Sequence, residues 1–406
     1  MDGPLVRGLS LQDVYRARAR IQGLVHRTPL LPSRALGGAV GAPVHLKLEN
    51  QQLTGSFKLR GALNAVLALT PEQLERGVVT VSTGNHGRAV AHTCRLLGVQ
   101  ATVCMSRLVP GNKLAAIEEL GARTCIVGNS QDDAQVEADR LVAQEGASLV
   151  PPFDHPDIIA GQGTLGLEIA EQLLEMQVRS SSSNGASAAG SARERGEDTG
   201  RARRGDGSSR PRAVANKRGN KIRGNKIRGD KRGLQVIVPL SGGGLIAGVA
   251  LALKALDRSI RVVGVSMEQG CAMYQSQEAG CPVQVEERQS LADSLGGGIG
   301  AQNRHTFRMV RDLVDELVLV DEEQIARGVV HAYREERQVV EGAGAVGIAA
   351  MLAGVVGSGY LPGGKGDATG DSRGGSTGSS DFETVVLLSG GNIDTDVHQR
   401  LVREGR

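Results

Sequence analysis

The sequence predicts an α/β fold with mainly parallel sheets covered by helices on both faces. Three observations predict it. Short β-branched runs alternate with segments of helical periodicity, the strand candidates are apolar along their length rather than at every second position, and several strands end in Ser/Gly/Asn turns. Val78-Val-Thr-Val81 is the first such strand, and a helix follows it over Arg88 to Leu97. Ala101 to Cys104 is a strand, Asn112 to Leu120 a helix stopped by Gly121, Thr124 to Val127 a strand, and Asp132 to Glu145 a helix. The rhythm resumes with a helix over Thr164 to Met176, a strand over Leu234 to Leu240, a helix over Ile246 to Leu256, and strands over Arg261 to Val265 and Val385 to Leu388.

Composition limits what such a fold can do. The chain has 406 residues, 40% apolar, with no Trp, 2% aromatics and 57 Gly, so its core must be built from Val, Leu, Ile and Ala. Five cysteines without a C-x-x-C spacing argue against a disulfide framework or a zinc site and fit a reducing cytoplasm. No apolar run reaches the length of a membrane span, and Met1 to Leu11 lacks the apolar stretch of a signal peptide.

The formal charge of +3 hides two unlike parts. Residues 179–233 carry sixteen Lys and Arg against five Asp and Glu, so the remainder of the chain is net negative. This Ser/Gly/Arg-rich segment, with its repeat Asn220-Lys-Ile-Arg-Gly and Asn225-Lys-Ile-Arg-Gly, is expected to be a disordered insertion. Residues 357–381, nine of them glycine, are expected to be a second one. No aromatics interleave with the basic residues to stack bases, so nucleic-acid or partner binding through this segment is only a minor alternative to an enzymatic role.

Four turns carry residue types suited to chemistry. Ser241-Gly242-Gly243-Gly244-Leu245 follows one strand and opens a helix, where converging backbone N–H groups and the helix dipole favour a phosphate. Its spacing fits neither G-x-x-x-x-G-K-[ST] nor G-x-G-x-x-G. Gly55-Ser-Phe57-Lys58-Leu-Arg-Gly61 offers an amine able to form a Schiff base with an aldehyde, although a lysine at a helix start is commonly a solvated surface residue. Ser82-Thr83-Gly84-Asn85-His86 offers backbone N–H groups for a carboxylate and an amide for a ring oxygen. Ser389-Gly-Gly-Asn392 ends the last strand and offers a hydroxyl for a ring nitrogen.

In this order and spacing the four turns resemble the serine/threonine dehydratases and serine racemases, pyridoxal-phosphate (PLP) enzymes of fold type II related to the tryptophan synthase β-subunit. The resemblance implies two domains, each with a mainly parallel sheet: residues 71–157 as a small domain, and 1–70 with 158–406 as a large cofactor-binding one. It implies that Lys58 carries PLP and acts as the base, and that Phe57 flanks the ring. Asn85 meets the 3′-oxygen, Ser241, Gly242, Gly243, Gly244 and Leu245 hold the phosphate, and Ser389 faces the ring nitrogen. Ser82, Thr83, Gly84, Asn85 and His86 then bind the carboxylate of an amino-acid substrate, and the enzyme is a homodimer.

Three departures refine this. Thr83 stands where the racemases carry a serine that acts as a second base, which argues for elimination rather than racemisation. Glu268 and the Ala272 carbonyl match a cation site of some relatives, but Tyr274 replaces its Asp, so no metal is expected. Ala292-Asp-Ser-Leu-Gly-Gly-Gly-Ile-Gly300, with Ser106 to Pro110 and Tyr333 to Arg337, resembles the dehydratases of hydroxyectoine utilisation. The expected substrate is therefore a hydroxylated amino acid from hydroxyectoine breakdown, with L-threonine or L-serine as the alternative. Both insertions join a helix end to a strand start, the sheet edge opposite the carboxyl ends where ligands bind. Deleting them is expected to leave fold and turnover intact, as circular dichroism and a turnover assay on the deletion variant would register.

Overall fold

The computed structural model describes the chain except residues 1–7, 83, 108, 110, 194–231, 357, 358, 360, 363–380 and 406. Ten strands form two sheets among the described residues: β1 (Leu30–Ser33), β2 (Val44–Leu48), β3 (Val78–Val81), β4 (Ala101–Met105), β5 (Arg123–Ile126), β6 (Ser148–Leu149), β7 (Gly233–Pro239), β8 (Arg261–Met267), β9 (Glu316–Val320) and β10 (Phe382–Leu388). The first sheet runs β1-β2-β10-β7-β8-β9 and the second β5-β4-β3-β6. Every pairing is parallel except β1 with β2. The fold is thus the expected one, type II α/β with two domains on parallel sheets.

The order of the first sheet decides where the site forms. The last strand, β10, inserts between β2 and β7, with Val385 beside His45 and Val236. Its carboxyl end therefore lies next to those of β2 and β7. The backbone N–H of Phe57 donates to Ser389 O at 3.0 Å, and Ser56 forms a bridge with Gly390. The turn leading to Lys58 is thereby fastened to the end of the last strand.

The core holds the sheets without large aromatics. Helix Gly342–Ala353 lays its apolar side over β10, β7 and β8. Helix Gly244–Leu256 is buried all round from Gly244 to Leu253, as a helix apolar on every face must be. Beneath the second sheet, Leu59, Leu63 and Val66 of helix Lys58–Leu67 pack with Val90 and Cys94 of helix Asn85–Leu97.

One ion cluster fixes helix Lys58–Leu67 against its surroundings. Arg60 is fully buried. It donates from Nε and Nη2 to the two Glu49 oxygens at 2.8 Å each, and from Nη1 and Nη2 to the two Glu168 oxygens at 2.7 and 3.0 Å. Lys47 Nζ completes the cluster on Glu168 at 2.8 Å and donates to Thr28 O at 2.7 Å. Burial works to raise the Glu49 carboxyl, but the Arg60 charge and hydrogen bonds outweigh it and hold the pKa below its ordinary value. For Lys47 burial prevails and the amine is lowered despite Glu168 and Glu49. At Gly161 a Cβ would stand 2.6 Å from Arg60 O and 2.7 Å from Gly61 Cα, so only glycine lets the two helices close around the cluster.

Two sequence expectations change. The helix expected over Thr164 to Met176 runs from Pro156 to Arg193, so helical backbone covers the first part of the segment expected to be disordered from 179. An established helix propagates without a new nucleation cost, and the segment Ser180–Ala192 stays helical although it contains Asn184, Gly185 and Gly190. Residues 194–231 and most of 357–381 lie outside the described residues. Strands β1, β2, β6 and β9 were not read from the pattern, β6 spanning only two residues and β1 carrying Pro32 in place of a β-branched run. By packing, 1–170 with 228–406 is one compact unit containing both sheets, and Glu171–Ile227 is a second. No described helix is long and apolar enough to cross a membrane.

Replacing Arg60 by Met would leave the buried Glu49 carboxylate without its cationic partner and Glu168 with Lys47 alone. A loss of about 3–5 kcal/mol is expected, read from the denaturant midpoint; a change below about 1 kcal/mol would show the cluster to be incidental.

Candidate active site

The carboxyl ends of β3, β7 and β10 open on one cavity of about 1640 Å³. That exceeds the usual range for a single small ligand, about 300–1,000 Å³, and leaves room for a cofactor and a substrate together. Phe57, Lys58, Ser82, Gly84, Asn85, His86, the run Ser241 to Leu245 and Ser389 all line it. The turns separated in sequence are therefore brought together, with one exception: Thr83 lies outside the described residues.

Lys58 is the first residue of its helix, and its Nζ donates to Pro152 O at 2.9 Å. Burial lowers its pKa to about 8, against the pull of the Glu341 carboxylate, which raises it. Roughly a tenth of the amine is then neutral at pH 7, far more than of an ordinary lysine, which makes it a nucleophile and a base. The Phe57 ring centroid lies 5.4 Å from Nζ.

The glycine turn is set by close packing. Gly243 has φ +88°, and a Cβ on Gly242 would stand 2.4 Å from the Phe153 ring. The backbone thus lies flat against Phe153 and enters helix Gly244–Leu256, whose first N–H groups have no side-chain cap. Such a turn suits a phosphate. At the end of β10, Ser389 Oγ is buried and reaches Ala343 O only at 3.5 Å, which leaves its proton scarcely committed.

Helix Asn85–Leu97 presents its N-terminus to the same space, with Gly84 at the cap position and no side-chain cap. His86 Nε2 lies 3.0 Å from Val150 O, so it carries the hydrogen of the neutral ring. Burial, then the Lys58 charge, push its pKa down to about 3, opposed only by the Val150 hydrogen bond. An anion here meets N–H groups and the helix dipole, not an imidazolium.

Glu341, Arg88 and Asp154 escaped the sequence reading, and Asn392 was read only as the end of a turn. Glu341 Oε1 accepts from Asn85 Nδ2 at 2.7 Å, Asn392 Nδ2 donates to Asn85 Oδ1 at 2.7 Å, and Arg88 Nη1 donates to Asn392 Oδ1 at 3.0 Å. Asp154 accepts from the backbone N–H groups of Arg304, His305 and Thr306 at 2.6, 2.9 and 2.9 Å, fastening the chain after Phe153 to the loop beyond Gly300. The one sequence signal was an acid directly before Gly342-Ala-Gly-Ala345. Gly296, Gly297 and Gly298 also line the cavity. Gly297 has φ +94°, a backbone reason for glycine that does not depend on substrate size.

A buried amine of lowered pKa, a glycine turn at a helix N-terminus and a hydroxyl at the next strand end fit PLP, with its aldehyde, phosphate and ring nitrogen. Fold and site together define a type II PLP enzyme. The family model for pyridoxal-phosphate dependent enzymes matches residues 21–233 and 226–365. The chain is 48% identical over 394 residues to a provisionally named threonine dehydratase of Sinorhizobium fredii, covering 97% of this chain and 95% of that one. It is 33% identical over 397 residues to an L-threonine ammonia-lyase of Thermotoga maritima, covering 98% of this chain and 79% of that one. Among solved structures, maize serine racemase matches with TM-score 0.74 and 28% identity over 98% of this chain and 97% of the other. The chain belongs to the pyridoxal-phosphate dependent enzymes, in their threonine dehydratase/ammonia-lyase branch, and is a PLP-dependent lyase.

The lowered lysine pKa has a kinetic consequence. Only the neutral amine attacks an aldehyde, and its fraction rises with pH until the pKa is passed. Capture of PLP by the cofactor-free protein should accelerate with pH and level off just above about 8. Stopped-flow absorbance checks this; a rate still climbing towards the ordinary lysine range near 10.5 would show an unperturbed amine.

Proposed function

We propose that this enzyme is an L-threonine dehydratase (ammonia-lyase) that also accepts L-serine, with Lys58 as cofactor anchor and base. The observation that carries the reading is the Lys58 amine, lowered towards about 8 in the cavity that also holds the Ser241–Leu245 turn and Ser389. Relatives named for threonine support the substrate. The subgroup resemblance to hydroxyectoine dehydratases gains no support from these relatives.

PLP, when bound, acidifies the Cα proton of an attached amino acid by delocalising the charge left behind. The chain's own residues do the rest. The N–H groups of Ser241 to Leu245 hold the phosphate, and Ser389 offers a neutral hydroxyl to the ring nitrogen instead of an acid. The helix N-terminus at Gly84, Asn85 and His86, with Ser82 beside it, holds the substrate carboxylate. The Lys58 Nζ amine would take the Cα proton, and the ammonium so formed would return it to the departing β-hydroxyl, which leaves as water. Hydrolysis of the resulting enamine yields a 2-oxo acid and ammonia. Residues 71–157 are the smaller domain in this reading and close over the substrate. A homodimer in a reducing cytoplasm completes the reading, in keeping with five free cysteines.

A second reading, a bulkier hydroxylated amino acid derived from hydroxyectoine, is favoured by the run Leu291 to Gly300, most of which lines the cavity wall. A substrate panel decides between them. Ammonia release from L-threonine is expected to exceed that from hydroxyectoine-derived diamino acids by at least about tenfold in kcat/KM, or about 1.4 kcal/mol in transition-state binding. The reverse order would install the second reading.

A further inference from the structure

Asn85 does not stand alone in the cavity wall, and its surroundings determine which way its amide faces. A backbone carbonyl can only accept a hydrogen bond. Asn392 Nδ2 donates to Thr54 O at 2.9 Å, so the nitrogen end of the Asn392 amide is fixed. The same Nδ2 donates its other hydrogen to Asn85 Oδ1 at 2.7 Å. Arg88 Nη1 donates to Asn392 Oδ1 at 3.0 Å and confirms the orientation from the other end. Asn85 must then present its nitrogen on the opposite side, where Glu341 Oε1 accepts from it at 2.7 Å.

Glu341 is held for this task. It occupies the cap position of helix Gly342–Ala353, yet its side chain makes no cap hydrogen bond. The carboxylate turns towards the cavity instead. It is 5% exposed and lies so close to Gly390 that a Cβ there would stand 2.6 Å from Oε1. Its backbone N–H donates to Gly390 O at 3.1 Å, which ties it to the residue after Ser389. An amide nitrogen carries two hydrogens. One goes to Glu341, and among the described residues no acceptor takes the other.

We propose that Glu341 is a positioning residue: its carboxylate, with Asn392 opposite, locks the Asn85 amide so that one N–H remains for an acceptor in the cavity. Resting on the site assignment above, that acceptor is the ring oxygen of the cofactor. Glu341 acts through Asn85 and need not touch the reacting atoms.

The test is the visible absorbance band of the lysine-bound cofactor at one fixed pH, in the holoenzyme and in Asn85→Ala, Glu341→Leu, Glu341→Gln and the Asn85→Ala/Glu341→Leu double variant. Asn85→Ala is expected to shift the band. Glu341→Leu should shift it in the same direction by at least about half as much, and the double variant should add little, as residues acting in one unit do. Glu341→Gln keeps an acceptor oxygen and should restore most of the wild-type band. If Glu341→Leu does not fold, Asn392→Asp replaces it. An aspartate there opposes Asn85 Oδ1 with a second acceptor, favours the reversed amide and should give the same shift. A shift in Asn85→Ala with a wild-type band in Glu341→Leu, or in its substitute, would overturn the positioning role. An unchanged band in Asn85→Ala itself would overturn the site assignment beneath it.

Discussion

A buried arginine shared by two carboxylates is the constraint on which this molecule depends. Arg60 sits two residues after Lys58, on the first turn of the same helix, and grips Glu49 and Glu168 with paired hydrogen bonds. Glu49 continues β2, Glu168 lies on the helix that begins at Pro156, and Lys47 joins the cluster from within β2. Two buried cations thereby balance the buried Glu49 and the part-buried Glu168. The net energy of such a cluster is small, because desolvation cancels most of the attraction, but a single missing member leaves a stranded charge. The cluster therefore specifies a geometry more than it adds stability. It allows one placement of the helix start, and hence of Lys58.

Around that fixed lysine the site is assembled from strand ends. β10 comes last in the chain yet lies between β2 and β7. Its end supplies Ser389, a bridge to Ser56 and, through Asn392, a bond to Asn85 on the other sheet's first helix. The segment after Val150 contributes in the same economical way. Val150 O fixes the His86 tautomer, Pro152 O holds the Lys58 amine, Phe153 backs the glycine turn and Asp154 secures residues 304–306. Burial then sets the protonation states: an amine shifted towards neutrality and an imidazole kept neutral.

Much of this was legible in the sequence, for physical reasons that also mark where legibility stopped. Strands buried on both faces write themselves as continuous apolar runs, so β3, β7 and β10 could be read directly, and their ends located the turns that line the cavity. The glycine turn was readable because its backbone demands glycine, as φ +88° at Gly243 bears out. Arg60, Glu49 and Glu168 were not readable. A charged residue in sequence looks solvated, and only the fold brings these three together across 11 and 108 positions. The Glu341–Asn85 pair, 256 residues apart, was hidden for the same reason. The length of the helix from Pro156 was missed because the Ser- and Gly-rich stretch after Arg179 carries no apolar periodicity to mark it.

The most direct test of the account is to reduce the holoenzyme with borohydride, digest it and map the pyridoxyl group by mass spectrometry. One modified site is expected, Lys58, within the peptide that also contains Phe57, and the modification is lost in Lys58→Ala. A pyridoxyl group on another lysine, or none on a protein shown to hold its cofactor, would contradict it.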